Sequence, residues 1–157
     1  MRAIVQRVTS ATVHVSDREV GRCDFGLLLL VGVHKSDTKL EAEKLASKLL
    51  TLRIFNDHEG KMNLSLLDFK DSHGNPEASI LAVSNFTVYG DASKQRRPSF
   101  TESAGFEHAR GLFDYFVEKL KESGLSVQTG EFGADMRVTL INSGPVTLLV
   151  DVDAPTI

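Results

Sequence analysis

The chain lacks most of what would staple, anchor or charge it. In 157 residues it has one cysteine, no tryptophan and four prolines. Cys23 alone cannot close an intramolecular disulfide, and without a second thiol no zinc-type Cys pair exists. A reducing, cytoplasmic setting is therefore expected. The most apolar run, Leu27 to Val33, is far short of the roughly 20 residues that span a bilayer. It reads as a strand covered on both faces, and no membrane partner is expected. Arg2 and Arg7 flank a very short apolar patch, which is not the pattern of a signal peptide. Charge of one sign is also missing: 18 Lys+Arg against 21 Asp+Glu leave a formal −3. That balance argues against broad coating of a nucleic acid, which scales with the phosphates neutralised. A local site for one nucleotide end is not excluded.

What remains is ordinary globular material. At about 100–200 residues per domain, residues 1–157 make a single domain. A chain of this size buries roughly 70% of its unfolded surface. Hydrophobic residues at 41% and charged residues at 25% supply the core and the surface to match.

Ile4, Gln6 and Val8 alternate with Val5 and Arg7, and Thr12 to Val15 continue in the same manner. With a turn at Asp17–Glu19 and the Leu27–Val33 run, the opening third reads as a β-meander. Thr38 and Glu41 have capping-box spacing ahead of Ala42, Leu45, Ala46 and Leu49, which predicts a helix with Lys39, Glu43, Lys44 and Lys48 outside. Arg53-Ile54-Phe55 resumes extended structure, Asn56 to Gly60 is a turn, and Asp68 to Pro76 is a polar loop. Ala78 to Tyr89 reads as a strand. Phe106, Ala109, Phe113, Phe116, Val117 and Leu120 form the stripe of a second helix, with Gly124 placed to end it left-handed. Met136–Asn142 and Val146–Val152 read as two more strands, separated by Ser143-Gly144-Pro145. The order predicts an α+β fold with two helices packed on an antiparallel sheet.

Familiar catalytic contexts are absent. There is no Gly-x-Ser-x-Gly elbow and no Walker or Rossmann glycine pattern. The five histidines are scattered, and the consecutive Asp57-His58-Glu59 point in different directions, as in a solvated turn. No metal and no cofactor are expected, and Cys23 reads as structural. Three segments stand out. Ser84-Asn85-Phe86-Thr87 crowds hydrogen-bonding side chains around an aromatic at a strand end, where a plain strand-to-turn junction is the alternative. Lys94-Gln95-Arg96-Arg97-Pro98-Ser99-Phe100 is the densest basic cluster, read either as a phosphate-facing loop or as a solvated one. Asn142-Ser143-Gly144-Pro145-Val146-Thr147 is by default a hairpin turn. Its Gly-Pro pair also bares main-chain carbonyls with no β-carbon at the glycine.

Taken together these motifs resemble the D-aminoacyl-tRNA deacylase family, whose signatures are Ser-Gln-Phe-Thr and Asn-x-Gly-Pro-x-Thr. Gln6-Arg7-Val8, Arg53-Ile54-Phe55, Gly60 to Asn63, Arg97 to Phe100, Gln128 to Gly130 and Ala134 to Met136 extend the likeness over nearly the whole chain. The resemblance implies a barrel-like, mainly antiparallel fold layered α/β/β with two helices. It implies hydrolysis of the ester between a D-amino acid or glycine and the tRNA 3′ end, assisted by the ribose 2′-hydroxyl. It implies a homodimer in which Gly144-Pro145, cis at that bond, enters the partner's site and blocks L side chains, held by Arg7. Phe86 and Thr87 would supply main-chain oxyanion donors and positioning. Ser84, Asn85, Asn142 and Thr147 would line the substrate site, Phe132 and Met136 would enclose the terminal adenine, and Lys94, Arg96 and Arg97 would meet the phosphates. Two departures stand out, Asn85 in place of Gln and Gln95 before the Arg-Arg-Pro run, and Asp71 to Pro76 looks inserted. Phe86 and Asn142 favour the D-specific group over the sister group that removes L-alanine. A non-catalytic tRNA-end-binding module and a structural dimerising domain are the readings from other classes.

Overall fold

The computed structural model describes residues 1–93 and 96–152. Among these residues eight strands and two α-helices follow one another as β1 (Arg2–Val15), β2 (Arg18–Cys23), β3 (Gly26–Gly32), α1 (Lys39–Leu50), β4 (Phe55–Asn56), β5 (Met62–Leu64), β6 (Ser79–Ser84), α2 (Phe106–Lys121), β7 (Ser126–Thr129) and β8 (Met136–Asp151). The main sheet runs β2-β1-β3-β6-β7, with β8 on β1 as well.

The opening strands are not a meander, because β2 and β3 do not pair with each other: both lie end to end along one edge of β1, with β8 on the other. Its length explains this: the 14-residue β1 pairs with β3 through Arg2–Val8 and with β2 through Ala11–Val15. All pairs to β1 are antiparallel, whereas β3-β6 and β6-β7 are parallel. Each parallel pair is joined by a crossover containing a helix, as a parallel connection requires. The far edges nearly meet. The Arg22 N–H donates to the Gln128 side-chain oxygen Oε1 at 2.9 Å, and a β-carbon on Gly21 would lie 2.3 Å from the Thr129 carbonyl oxygen. Glycine thus lets β2 and β7 draw the sheet into a nearly closed barrel.

Two cores result. Ala3, Val5, Leu27, Leu29, Ile80 and Ala82 face the helices and pack on Leu45, Leu49, Phe113 and Phe116. Val8, Ala11, Val13, Cys23, Leu28, Leu81 and Val83 fill the barrel side. The expected cap of α1 is present: the Thr38 hydroxyl accepts from the Leu40 N–H at 3.2 Å, and Glu41 Oε2 accepts from the Thr38 N–H at 2.9 Å. Gly124 takes φ +83° beyond α2, in the left-handed region where a side chain is costly.

Two further expectations fail. The Ala78–Tyr89 segment is not one strand: β6 ends at Ser84 and Phe86–Tyr89 wind into a 3-10 turn. Asn85, an N-cap residue by type, breaks the extension there. Nor is there a hairpin at Gly144-Pro145. β8 is one 16-residue strand along β1, and register is interrupted where Gln6 pairs with Thr147 and Val8 with Asn142. The residues between are extruded as a bulge, the local solution for a proline that cannot donate to a ladder. The bulge changes the buried face. Val138 and Leu140 before it pack on the barrel core, and Val146 and Val150 after it join the helix-side core.

Candidate active site

A pocket of about 740 Å³ opens beside β3, the end of β6 and the start of α2. Leu28, Leu30, Val83, Val138 and Leu140 give it an apolar floor, and its polar side chains are Gln6, Ser84 and Asn85. Phe106, Phe113 and Phe132 form an aromatic wall, with Phe132 edge-on to Phe106 at 5.1 Å between ring centres. Gly133, at φ +78°, carries the chain past Phe106 so closely that a β-carbon would sit 2.7 Å from the ring. Phe106 was expected in the core stripe of α2. It is instead 55% exposed at the pocket, because the first turn of α2 overhangs the cavity.

The Ser84–Thr87 motif enters this pocket from the end of β6, where Ser84, Asn85 and Phe86 all line it. The Asn85 N–H donates to the Val31 carbonyl at 2.8 Å, which continues the β3 pairing by one residue. Asn85 Oδ1 then accepts from the Thr87 N–H at 3.1 Å and from the Thr87 hydroxyl at 2.5 Å. Asparagine closes this loop because only one methylene separates its side-chain carbonyl from Cα, the geometry of an Asx turn. The Thr87 hydroxyl donates to an amide oxygen, and an amide is not a base. No general base is therefore positioned on it. Phe86 is 59% exposed, its ring lies edge-on to Phe100 at 5.1 Å, and its carbonyl accepts from the Ser103 hydroxyl at 2.9 Å.

Arg7, Asn142 and the bulge form a second cluster. Arg7 is 8% exposed and pairs with no carboxylate among the described residues. Its Nε donates to the Ser143 carbonyl at 3.1 Å, and its Nη1 donates to the Ile54 carbonyl at 2.7 Å and to Asn56 Oδ1 at 3.3 Å. Asn142 Nδ2 donates to the carbonyls of Arg7 and Val146 at 3.0 and 2.9 Å, closing the neck of the bulge. At its exposed tip the Gly144-Pro145 bond is cis and Gly144 has φ +128°. A β-carbon there would lie 2.8 Å from Val146 Cγ2 and 2.9 Å from Arg7 Nη2. Neither Gly144 nor Pro145 lines the pocket of its own chain.

Of the residues singled out in the sequence, Phe132 and Met136 join Ser84, Asn85 and Phe86 at the pocket. Arg7, Asn142, Gly144 and Pro145 gather at the bulge instead. Thr147 sits between the two, its hydroxyl accepting from Gln6 Nε2 at 3.3 Å. Arg96 and Arg97 are exposed and line no part of the pocket, and Lys94 lies outside the described residues. Sequence reasoning missed Gln6, Ala104, Phe106, Gly133 and Ala134 as lining residues. Gln6 and Ala134 carried a signal: both stand in stretches of the family likeness, and Gln6 is a polar side chain on the strand face shared by Ile4 and Val8. Among the described residues no group of three or more His, Cys, Asp or Glu is placed to hold a metal ion. No helix among them is long and apolar enough to cross a membrane.

The whole arrangement has known counterparts. A protein of Thermosipho melanesiensis named D-aminoacyl-tRNA deacylase is 55% identical over 152 residues, covering 96% of this chain and 97% of that protein. One of Clostridium botulinum (strain Alaska E43) with the same name is 50% identical over 151 residues, covering 96% and 97%. Among solved structures, one titled c-Myc DNA Unwinding Element Binding Protein superposes with a TM-score of 0.87 at 34% identity, covering 98% of this chain and 100% of that one. Another, titled as a probable eukaryotic D-amino acid tRNA deacylase, has a TM-score of 0.77 over 96% and 98% of the two chains. At 18% identity it speaks for the fold alone. The family model described as D-Tyr-tRNA(Tyr) deacylase matches residues 4–151, and the chain belongs to that family.

Proposed function

We propose that this deacylase hydrolyses the ester joining a D-amino acid, or glycine, to the 3′-terminal adenosine of tRNA, and that it does so in the cytoplasm as a proofreading homodimer. The observation that carries this reading is the meeting of the Ser84–Thr87 motif and the Phe106–Phe132 wall in one pocket. Flat aromatic faces suit a purine, because stacking on aromatic side chains is how an unpaired base is held. The bent main chain beside it suits the ester.

The chemistry asks little of side chains. With Thr87 donating to Asn85, the reading gives the ribose 2′-hydroxyl the task of assisting attack. The protein contributes orientation, which is worth several kcal/mol of barrier, and main-chain donors to the developing oxyanion. Asn85 already occupies the Thr87 N–H. The Phe86 N–H, which has no acceptor among the described residues, is the donor left for that role, while Thr87 positions.

Stereochemical selection falls to Gly144-Pro145. The pair is exposed and lies off its own chain's pocket, so in this reading each bulge serves the pocket of a second copy. The outer edge of β8 supports such pairing: among the described residues it has β1 on one side only, and Ile141 and Leu149 on it are 61% and 60% exposed. Rigid carbonyls set against an L side chain exclude it by clash, whereas glycine has no side chain to exclude. Arg96 and Arg97 meet the phosphates next to the terminal nucleotide. The test is release of tyrosine from D-Tyr-tRNA ending in adenosine and from the same tRNA ending in 2′-deoxyadenosine. Turnover of the first with at least a tenfold loss on the second is expected. Equal rates would remove the 2′-hydroxyl from the mechanism, and no turnover of either would overturn the assignment.

A further inference from the structure

Ser103 lies outside both signature motifs and does not line the pocket, yet it holds the peptide on which the first motif turns. The Phe86–Thr87 peptide is secured at both ends. Its carbonyl accepts from the Ser103 hydroxyl at 2.9 Å, and its N–H donates to Asn85 Oδ1 at 3.1 Å. Holding both ends of one planar unit fixes its rotation, and with it the torsions on either side. The Phe86 ring and the Phe86 N–H are thereby aimed.

The hydroxyl is itself held in place. The Phe100–Ala104 segment is laced to the end of β3 by the Ala104 N–H on the Val33 carbonyl at 2.9 Å and the Lys35 N–H on the Glu102 carbonyl at 3.0 Å. The Glu102 carboxylate meets Lys35 Nζ at 3.0 Å and His34 Nε2 at 2.9 Å. Phe100 packs edge-on to Phe86, and Ala104 lines the pocket. The segment therefore acts as a strap across the motif, with the Ser103 hydroxyl as its point of contact with the main chain. A 3-10 turn of four residues has few bonds of its own to keep it rigid, and its exposed first residue gains most from an outside anchor.

We propose that Ser103 is a positioning residue for this active site, acting through the Phe86 carbonyl to orient the Ser84–Thr87 turn. The proposal rests on the deacylase reading. It is tested by steady-state hydrolysis of D-Tyr-tRNA by the wild-type chain, Ser103→Ala and Ser103→Thr, with the melting temperature of each. Misplacement of about 1 Å costs up to about 100-fold in rate. Ser103→Ala is thus expected to lose roughly tenfold in kcat with KM within about twofold. Its melting temperature should stay within about 3 °C of wild type, and Ser103→Thr, which keeps the hydroxyl, should recover most of kcat. An active wild type with unchanged kcat in Ser103→Ala overturns this inference alone, as does a threonine variant no better than alanine. So does a kcat loss matched by a large drop in melting temperature. A wild-type chain without turnover overturns the deacylase reading and this one with it.

Discussion

Arg7 donates from Nε to the carbonyl oxygen of Ser143 at 3.1 Å, tying the first strand to the bulge in the last. The same guanidinium reaches the Ile54 carbonyl and Asn56 Oδ1, so one planar group joins three segments. Lysine carries the charge but not the fork. Arg7→Lys is expected to leave buried carbonyls unpaired and to cost about 2 kcal/mol of stability. It should also loosen the bulge, raising the L:D ratio of Tyr-tRNA hydrolysis roughly tenfold, about 1.4 kcal/mol of discrimination. Thermal unfolding and paired rate measurements read the two effects. An unchanged ratio would separate Arg7 from selection.

Thr87 and Asn85 differ in what their loss should do. The Thr87 hydroxyl spends its proton on Asn85 Oδ1, so Thr87→Val is expected to keep kcat within about tenfold of wild type. Asn85→Ala removes the cap, worth about 1 kcal/mol, and frees the Thr87 N–H. It should therefore lose more activity than Thr87→Val. A loss of several thousandfold in Thr87→Val would identify a nucleophile and refute the positioning role.

Burial pushes the Cys23 thiol up to about 11. The thiolate is the reactive form, so native protein at pH 8 should resist a thiol reagent that labels the unfolded chain at once. The unfolded thiol ionises near its ordinary value of 9.0 and the folded one only near 11. The unfolded state therefore binds fewer protons across that window, and Cys23 makes stability fall as pH rises through it. Rapid native labelling at pH 8 would contradict this.

Selection across subunits predicts rescue in mixed dimers. Gly144→Ala puts a side chain at φ +128° against Val146 and Arg7, and should weaken rejection of L-Tyr-tRNA. Ala104→Trp fills the pocket that Ala104 lines, and should abolish turnover. Refolded together, a Gly144→Ala pocket faces an intact bulge from the Ala104→Trp chain. D-selectivity is expected to return in the mixed dimer. A mixture whose L:D ratio matches Gly144→Ala alone would place selection within one chain.

Local features were legible in the sequence and long-range ones were not. The Thr38–Glu41 cap, the stripe from Phe113 to Leu120 and the left-handed Gly124 follow from residue type and spacing, and all are present. From sequence the bulge reads as a hairpin, because glycine and proline between two β-rich runs look the same in either case. Only pairing with β1, more than a hundred residues away, distinguishes them. The early end of β6 rests on one Asx turn at Asn85. Most of the motif residues fall into two clusters, at the pocket and at the bulge. That division depends on which face of β1 Gln6 and Arg7 occupy. Alternation placed them on opposite faces, but not the elements that would cover each face.

The most direct measurement compares hydrolysis of D-Tyr-tRNA, L-Tyr-tRNA and Gly-tRNA by the purified protein under single-turnover conditions. Rapid release from the D form, measurable release from the glycyl form and no release above the uncatalysed rate from the L form are expected. Equal rates on D and L forms would contradict selection by the Gly144-Pro145 carbonyls, and no release from the D form would contradict the function itself.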